Sequence, residues 1–425
     1  SFGPACSIVS GGFDGTGGAA GRGRETAVAD IDGYVATGFE GVRDAFAANF
    51  DSHGEVGASF CLYHRGERVI DLWGGVADPA TGRSYEEGTC QLVFSTTKGV
   101  VAICVNRLID EGRLDPDAPV AEYWPEFAQA GKQDVPVRWL LSHKVGLPVL
   151  DVDLTLDETL SWDPVVEALA AQAPVWEPGT QHGYHATTFG WLVGELIRRV
   201  DGRSVGTYLA EEIAGPLDLD LWIGVPEDRL GQVAPLLTFD LPDNENIRMV
   251  IEQVLGPDSL TGRALRTPCP ELFGGTEGTI DLSMFNDPRV LQAEIPAANG
   301  VTNARALARL YAATIGEVDG IRLLSEAQVE RAIERQTTGP DAVMFFETAI
   351  GLGFFLSSAF SSYGGPRGFG HTGTGGSMGF ADPDAGIGYG YVMNQLMPNM
   401  IGDARTVGLT EACYEAIGGR PPVII

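Results

Sequence analysis

Ser95 and Lys98 stand three residues apart at the head of an apolar run that ends at Glu111-Gly112. A run of this length predicts a helix buried inside a domain. Residues at positions i and i+3 share a helix face, so the lysine amine can lie beside the serine hydroxyl. The positive end of the helix would favour the serine alkoxide, which predicts a nucleophile. The alternative is a serine that caps the helix, followed by a surface lysine.

A tyrosine could supply the proton transfer that such a nucleophile needs. Tyr184 lies in a loop between Gly183 and His185, before a predicted helix over 189–200. With an ordinary pKa near ~10, a tyrosine is a poor base unless a nearby cation lowers that pKa. Lys98 could be this cation. The alternative is a partly buried tyrosine whose hydroxyl is hydrogen bonded.

The third stretch is the glycine-rich segment over 370–377, which stands between two predicted strands. Glycine at this density lets a backbone approach a ligand closely. An N–H group here could form half of an oxyanion hole, with the N–H of Ser95 as the other half. The alternative is a flexible hairpin loop.

Together, the three stretches resemble serine β-lactamases and penicillin-binding proteins. They follow one another as Ser95-x-x-Lys98, Tyr184-His185-Ala186 and His371-Thr372-Gly373. Further segments are similar to the β-lactamase-related esterases of carboxylesterase family VIII: Leu141-Ser142-His143, Gly146-Leu147-Pro148, Phe189-Gly190-Trp191-Leu192 and Gly379-Phe380. The similarity covers roughly residues 35–420. It implies a fold with an α/β domain, a helical domain and the site between them.

The resemblance also implies a role for individual residues. Ser95 would be the nucleophile, and Lys98 with Tyr184 would form the proton-transfer pair, with the base in each step left open. The N–H groups of Ser95 and Thr374 would form the oxyanion hole. The residues expected to bind substrate are His371, Thr372, Gly373 and His185. No cofactor and no metal are expected.

Two departures from the β-lactamase pattern bear on the substrate. His371 stands where β-lactamases have a lysine, and histidine is mostly neutral at pH 7. Ala186 stands where they have an asparagine, and it cannot hydrogen bond a substrate amide. Both changes favour small neutral esters over β-lactams. The sequence therefore predicts a serine hydrolase for short-chain carboxylic esters that acts through an acyl-Ser95 intermediate.

Several alternatives remain open. The same residues would serve an acyltransferase, an amidase or a weak β-lactamase, and a catalytically idle relative would only bind ligands. Ser377 lies in a Gly-x-Ser-x-Gly sequence typical of α/β-hydrolases. That fold needs a later histidine, however, and His371 is the last one in the chain. The histidines at 143, 182 and 185 have no zinc-binding spacing and are expected to line the pocket.

The order of predicted elements indicates how the chain positions these residues. A helix over 37–50 and a hairpin over 57–74 precede the Ser95 helix, and strands return over 351–357 and 379–394. We expect an α+β, β-lactamase-like fold, in which both chain ends build one antiparallel sheet flanked by helices. The expected units are a Gly-rich extension over 1–30, an α/β domain over 31–115 and 296–425, and an inserted helical domain with pocket loops over 116–295.

Composition limits the partners. The 425 residues carry a net charge of −29, which argues against nucleic acid and anionic membranes. No apolar run has the length of a membrane span, and residues 1–30 lack the features of a signal peptide. Six scattered cysteines predict buried free thiols in a reducing cytoplasm. We expect a cytoplasmic protein that acts on a small ester as a monomer or small homo-oligomer.

Overall fold

The computed structural model describes residues 30–239, 253–273, 282–398 and 402–419. The predicted extension before residue 30 and parts of the predicted pocket loops, over 240–252 and 274–281, lie outside the described residues. The strands are β1 Ile31–Val35, β2 Gly57–His64, β3 Glu67–Asp78, β4 Arg83–Ser84, β5 Gln91–Leu92, β6 Leu221–Trp222, β7 Val301–Thr302, β8 Thr337–Pro340, β9 Glu347–Ile350, β10 Phe355–Leu356, β11 Phe369–Thr372, β12 Met378–Asp382 and β13 Ile387–Met393.

Helices occupy much of the chain between these strands. The α-helices are α1 Glu40–Ser52, α2 Thr96–Asp110, α3 Val120–Tyr123, α4 Val137–Leu141, α5 Leu156–Leu160, α6 Asp163–Ala171, α7 Thr188–Asp201, α8 Val205–Leu209, α9 Leu260–Arg266, α10 Pro270–Phe273, α11 Pro288–Gln292, α12 Ala304–Ile315, α13 Glu326–Ile333 and α14 Ala404–Ala416. Short 3-10 helices cover Pro125–Ala128, Glu227–Gln232 and Ser283–Asn286, and a π-helix covers Ala210–Ala214.

One antiparallel sheet joins the two ends of the chain, which confirms the predicted fold class. Its strand order is β1-β3-β2-β13-β12-β11-β10-β9-β8, with β4 at the side of β3. The predicted hairpin is β2 with β3, and β13 pairs with β2 to link the late strands to the early ones. A smaller sheet, in the order β5-β7-β6, holds the chain just before Ser95.

Helix packing on the sheet depends on glycines in β13. Helix α12 lies against β2, β12 and β13. A Cβ atom at Gly388 would lie 2.5 Å from the Ala312 nitrogen, and one at Gly390 would lie 2.3 Å from the Ala304 oxygen. Only glycine lets the helix and strand backbones approach this closely. Helix α2 is buried along nearly its whole length and packs against α7 and β11, as the apolar run predicted.

Two local predictions are wrong. The segment over 351–357 is not one strand, because the chain turns between β9 and β10 with Gly353 at φ +87°. The sequence also favours Thr302 as the cap of α12, because threonine is a common N-cap residue, but Thr302 lies in β7 instead. The cap is the next residue, Asn303, whose side chain accepts a hydrogen bond from the Ala306 N–H. Asparagine and threonine are both good caps, so the sequence alone could not separate them.

The five cysteines within the described residues are buried and unpaired, in agreement with the prediction of free thiols. Cys6 lies outside the described part of the chain. Across the described ranges, no helix combines the length and the apolar character that crossing a bilayer requires.

Candidate active site

Ser95 occupies the N-cap of helix α2, at the end of a strained connection from β5. Phe94, the residue before it, adopts φ +43°, which is unusual for a bulky side chain. Its buried ring packs edge-on against Phe285 at a centroid distance of 4.9 Å. The Phe94 carbonyl also accepts a hydrogen bond from the Thr97 N–H, at 2.9 Å. These contacts hold the backbone in a conformation that the local sequence would not choose.

Lys98 lies one helical turn after Ser95 and is completely buried. Its Nζ is 3.0 Å from the Ser95 Oγ, 2.6 Å from the Ala186 oxygen and 2.9 Å from the Ala297 oxygen. Within the described residues, no carboxylate forms an ion pair with this amine. Burial therefore holds the pKa of Lys98 well below its ordinary value, because the charged form loses its hydration without a compensating anion.

Tyr184 faces the same serine from the loop before helix α7. Its side chain lies close to that of Ser95, and its ring centroid lies 4.8 Å from the Lys98 Nζ. The Asp341 carboxylate accepts the Tyr184 backbone N–H at 2.9 Å, which fixes the loop. Burial raises the pKa of the Tyr184 hydroxyl above its ordinary value, an effect that the neighbouring Ser95 side chain only reduces. The hydroxyl therefore stays protonated at neutral pH.

The two buried histidines near Tyr184 hold the surrounding loops. His185 donates through Nδ1 to the Gly183 oxygen at 2.7 Å and accepts the Leu147 N–H through Nε2 at 2.9 Å. His143 accepts the backbone N–H of His185 through Nδ1 at 3.0 Å. Burial lowers the pKa of His185 to about 3, so the ring is neutral. Because both of its nitrogens bind backbone groups, His185 positions these loops, and its substrate-binding role stays a prediction.

A tight turn over 373–377 packs against the start of helix α2. The Gly373 N–H donates to the Ser377 oxygen at 2.8 Å. A Cβ atom at Gly373 would lie 2.1 Å from the Val93 oxygen, so this position requires glycine. The Ser377 hydroxyl is buried, donates to the Val93 oxygen at 2.8 Å and lies 3.0 Å from the Thr96 Oγ1. These bonds hold the Ser377 hydroxyl in a fixed position, which does not suit a nucleophile.

Thr374 lies at the exposed tip of this turn. In the part of the chain that the structure describes, neither its N–H nor that of Ser95 donates to a backbone carbonyl. His371 is buried at the end of β11, stacks on Phe355 at 4.6 Å and donates through Nδ1 to the Thr372 oxygen at 2.7 Å. Burial lowers the pKa of His371 to about 3, so the ring carries no charge at neutral pH.

The structure thus brings Ser95, Lys98 and Tyr184 together. The assigned substrate-binding roles of His371, Thr372 and Gly373 stay predictions. The role of Asp341 in fixing the tyrosine loop was missed. It lies 157 positions from Tyr184 in the sequence, in a segment with no motif of its own, so no sequence signal pointed to it. The arrangement suits covalent catalysis by a serine beside a buried amine whose lowered pKa favours the uncharged form, with a protonated phenol as a second proton carrier.

Comparisons with known proteins place the chain in one family. A family model described as Beta-lactamase matches residues 42–413. The protein named Esterase/beta-lactamase LipL, from Mycobacterium tuberculosis, is 36% identical over 372 residues, which are 84% of this chain and 81% of that protein.

Two solved structures are similar over nearly the whole chain. One is a family VIII carboxylesterase, with 39% sequence identity and a TM-score of 0.81, and the match covers 91% of this chain and 100% of that chain. The other is a penicillin-binding protein homologue from Caulobacter crescentus, with 38% identity and a TM-score of 0.78, and the coverage is again 91% and 100%.

Proposed function

The chain belongs to the beta-lactamase family, and from this premise we propose that it hydrolyses short-chain carboxylic esters through an acyl-Ser95 intermediate. The observation that carries the proposal is the buried Lys98 amine 3.0 Å from the Ser95 hydroxyl oxygen. Similarity to a protein named as an esterase and beta-lactamase, and to a family VIII carboxylesterase, supports the same class of reaction.

The hydrogen bonds around Lys98 support its role as the base that activates Ser95. A neutral amine has two N–H donors and one lone pair. The oxygens of Ala186 and Ala297 can accept both N–H groups, at 2.6 and 2.9 Å. The lone pair then remains for the Ser95 hydroxyl, which would donate its proton to Nζ. The lowered pKa of Lys98 favours this neutral form.

Tyr184 would act as the acid for the leaving group. Ser95 Oγ attacks the ester carbonyl carbon and gives its proton to Lys98, and the N–H groups of Ser95 and Thr374 stabilise the oxyanion. As the C–O bond to the alcohol breaks, the Tyr184 hydroxyl protonates the departing oxygen and recovers a proton from the Lys98 ammonium. Water then attacks the acyl carbon and gives a proton to the same pair, which passes a proton to the Ser95 oxygen as the acyl C–O bond breaks and the carboxylic acid is released.

The charges near the site favour a neutral ester over a β-lactam carboxylate. His371, at the position of the β-lactamase lysine, is uncharged because burial lowers its pKa to about 3. The neutral form of Lys98 is likewise favoured, and Lys98 is already engaged with Ser95. An anionic substrate would therefore lose its hydration without gaining a fixed cation from these residues.

A substrate panel tests this preference. We expect kcat/KM for p-nitrophenyl acetate and butyrate to exceed that for a chromogenic cephalosporin by at least about 100-fold, because a carboxylate without a charged partner costs several kcal/mol. Initial rates measured on the same preparation of the protein provide the comparison. Faster turnover of the cephalosporin would identify a β-lactamase instead. Acyl transfer to an added alcohol in preference to water would identify an acyltransferase.

Replacing Tyr184 with phenylalanine tests the acid role. The ring contacts with His143 and Phe355, at 5.2 and 5.5 Å, should survive, and only the proton carrier is lost. We expect kcat/KM, which reports acylation, to fall by about 10²–10⁴-fold with an alkyl ester such as ethyl butyrate. The fall should be smaller with p-nitrophenyl butyrate, because p-nitrophenolate departs without a proton.

The matched control is Tyr208→Phe, which removes the hydroxyl of another buried tyrosine, in helix α8. It should leave both rates near those of the wild type. An equal loss for the two esters in Tyr184→Phe would contradict the acid role, and unchanged activity would remove Tyr184 from the mechanism.

A further inference from the structure

Behind the turn over 373–377 lies a buried cluster of charged groups, which we call the rear cluster: Arg405, Asp403, Glu55 and Tyr391. Arg405 lies in the first turn of helix α14 and is only 1% exposed. Its Nε and Nη2 donate to the two oxygens of Asp403, at 3.0 and 2.7 Å. Its Nη1 donates to Glu55 at 3.2 Å, and Glu55 accepts the Tyr391 hydroxyl.

Arg405 also binds the turn directly. Its Nη2 donates to the Gly375 oxygen at 2.5 Å. The contact is close enough that a Cβ atom at Gly376 would lie 2.3 Å from the same nitrogen. Gly375 and Gly376 both have positive φ, at +88° and +127°, so the backbone turns sharply around the guanidinium group.

The turn is therefore held from two sides. In front, Ser377 bonds to the Val93 carbonyl, next to the nucleophile's helix. Behind, Arg405 bonds to the Gly375 carbonyl. The N–H of Thr374 belongs to the same turn, one residue before the anchored Gly375. An oxyanion donor must lie within a few tenths of an ångström of its productive position, so both anchors bear on the oxyanion hole.

Stability alone is a poor explanation for the rear cluster. Removing an arginine and two carboxylates from water is costly, and apolar side chains of similar volume often stabilise a protein as well or better. The guanidinium, in contrast, has a rigid planar set of donors that can join a carboxylate and a carbonyl in one fixed geometry. That property suits the positioning of a backbone turn.

We propose that Arg405 is a positioning residue of the oxyanion hole, which it orders by binding the Gly375 carbonyl in the same tight turn as the Thr374 N–H. The inference rests on the proposed esterase function. Arg405 touches neither substrate nor reacting atoms in this proposal, and acts only through the turn.

Arg405→Lys is the direct test, because lysine keeps the charge beside Asp403 but lacks the fork that also reaches Gly375. We expect kcat for p-nitrophenyl butyrate to fall at least tenfold, up to the roughly 10²–10³-fold that loss of an oxyanion donor costs. The KM value should change little. Inhibition by butylboronic acid, whose tetrahedral adduct places an oxygen in the oxyanion hole, should weaken by the same factor as kcat.

Arg305→Lys is the matched control. Arg305 is partly buried and pairs with Asp71 and Glu87, each at 2.5 Å, but does not contact the turn. This variant should keep the wild-type kcat and boronate affinity. If Arg405→Lys matches the wild type in both readouts while the wild type hydrolyses the ester, the positioning role is wrong. If the wild type hydrolyses no ester, the proposed function fails first.

Glu55→Gln gives a second test should Arg405→Lys not fold. Burial raises the pKa of Glu55 to about 7, although Arg405 opposes the shift; Asp403, Tyr391 and Tyr85 are the other titratable groups that act on it. At pH 6 both the wild type and the variant then present a neutral group to Arg405, whereas at pH 8 only the wild type presents a carboxylate. We expect the variant's kcat relative to the wild type to be near one at pH 6 and to fall at pH 8. A ratio that stays flat would contradict the proposal.

Discussion

Replacing Ser95 with alanine is expected to abolish ester hydrolysis, with kcat falling by about 10⁶-fold. The alanine leaves helix α2 and the burial of Lys98 intact, but it removes the only atom that the proposed mechanism uses to form the acyl-enzyme. The measurement is the rate of p-nitrophenyl butyrate hydrolysis, together with peptide mapping after labelling by a small fluorophosphonate. Wild-type protein should carry one adduct, on the peptide that contains Ser95, and the variant should carry none.

Two other serines serve in this experiment, one as the control and one as the alternative nucleophile. Ser161 lies at the end of helix α5, where its hydroxyl donates to the Glu158 carbonyl, and Ser161→Ala should label and turn over like the wild type. Ser377 belongs to the Gly-x-Ser-x-Gly sequence, but its buried hydroxyl is bonded to Val93. An adduct on Ser377 would overturn the assignment of the nucleophile. Folded protein that takes no label would favour an idle, ligand-binding relative.

The features that sequence predicted well depend on short-range patterns. The i and i+3 spacing of Ser95 and Lys98 already placed the two side chains on one helix face, and their atoms are 3.0 Å apart. The hairpin of β2 and β3 followed from alternation on both sides of a turn. Both chain ends contain strands while the middle contains helices, so the joining of the ends in one sheet could also be anticipated.

The environment of Lys98 could not be predicted in the same way. Its two carbonyl partners belong to Ala186 and Ala297, which are 88 and 199 positions away in the sequence. No periodicity links such residues, because their approach depends on how loops from different elements pack. Because the sequence does not reveal this burial, it suggested Lys98 as a cation that lowers the pKa of Tyr184. Burial acts on both groups instead, favouring the uncharged amine and raising the pKa of the phenol.

The rear cluster shows a second limit of sequence reasoning. Arginine is usually exposed, and the sequence around position 405 indicates only the start of a C-terminal helix. It is buried because Glu55, 350 positions earlier, and Asp403 surround it with carboxylates. Likewise His185 looked like a pocket residue, but its two nitrogens are bound by backbone groups of Gly183 and Leu147. Hydrogen-bond partners, rather than residue types, decide these roles.

Lys98→Met is expected to have the second-largest effect. Methionine nearly fills the volume of the lysine stem and removes the amine, so the Ser95 hydroxyl loses the base that accepts its proton. We expect kcat to fall by at least about 10⁴-fold. The variant should also lose the acid limb of the pH profile. In the wild type, protonation of Lys98 at low pH inactivates the base, so activity rises with pH. Because burial lowers the pKa of Lys98, this rise should occur at a lower pH than the pKa of an ordinary lysine.

Lys132 provides a closely matched control for this substitution. It is also fully buried, its Nζ donates to the carbonyls of Gln129, Ala170 and Gln172, and burial lowers its pKa to about 8. Lys132→Met removes an amine that is likewise bound by backbone carbonyls but has no serine hydroxyl among its partners. It should lower the melting temperature and leave kcat per folded molecule unchanged. A folded Lys98→Met protein that kept measurable fractions of wild-type activity, or kept the acid limb, would show that another group is the base, and the protonated Tyr184 hydroxyl would then have to be reconsidered for that role.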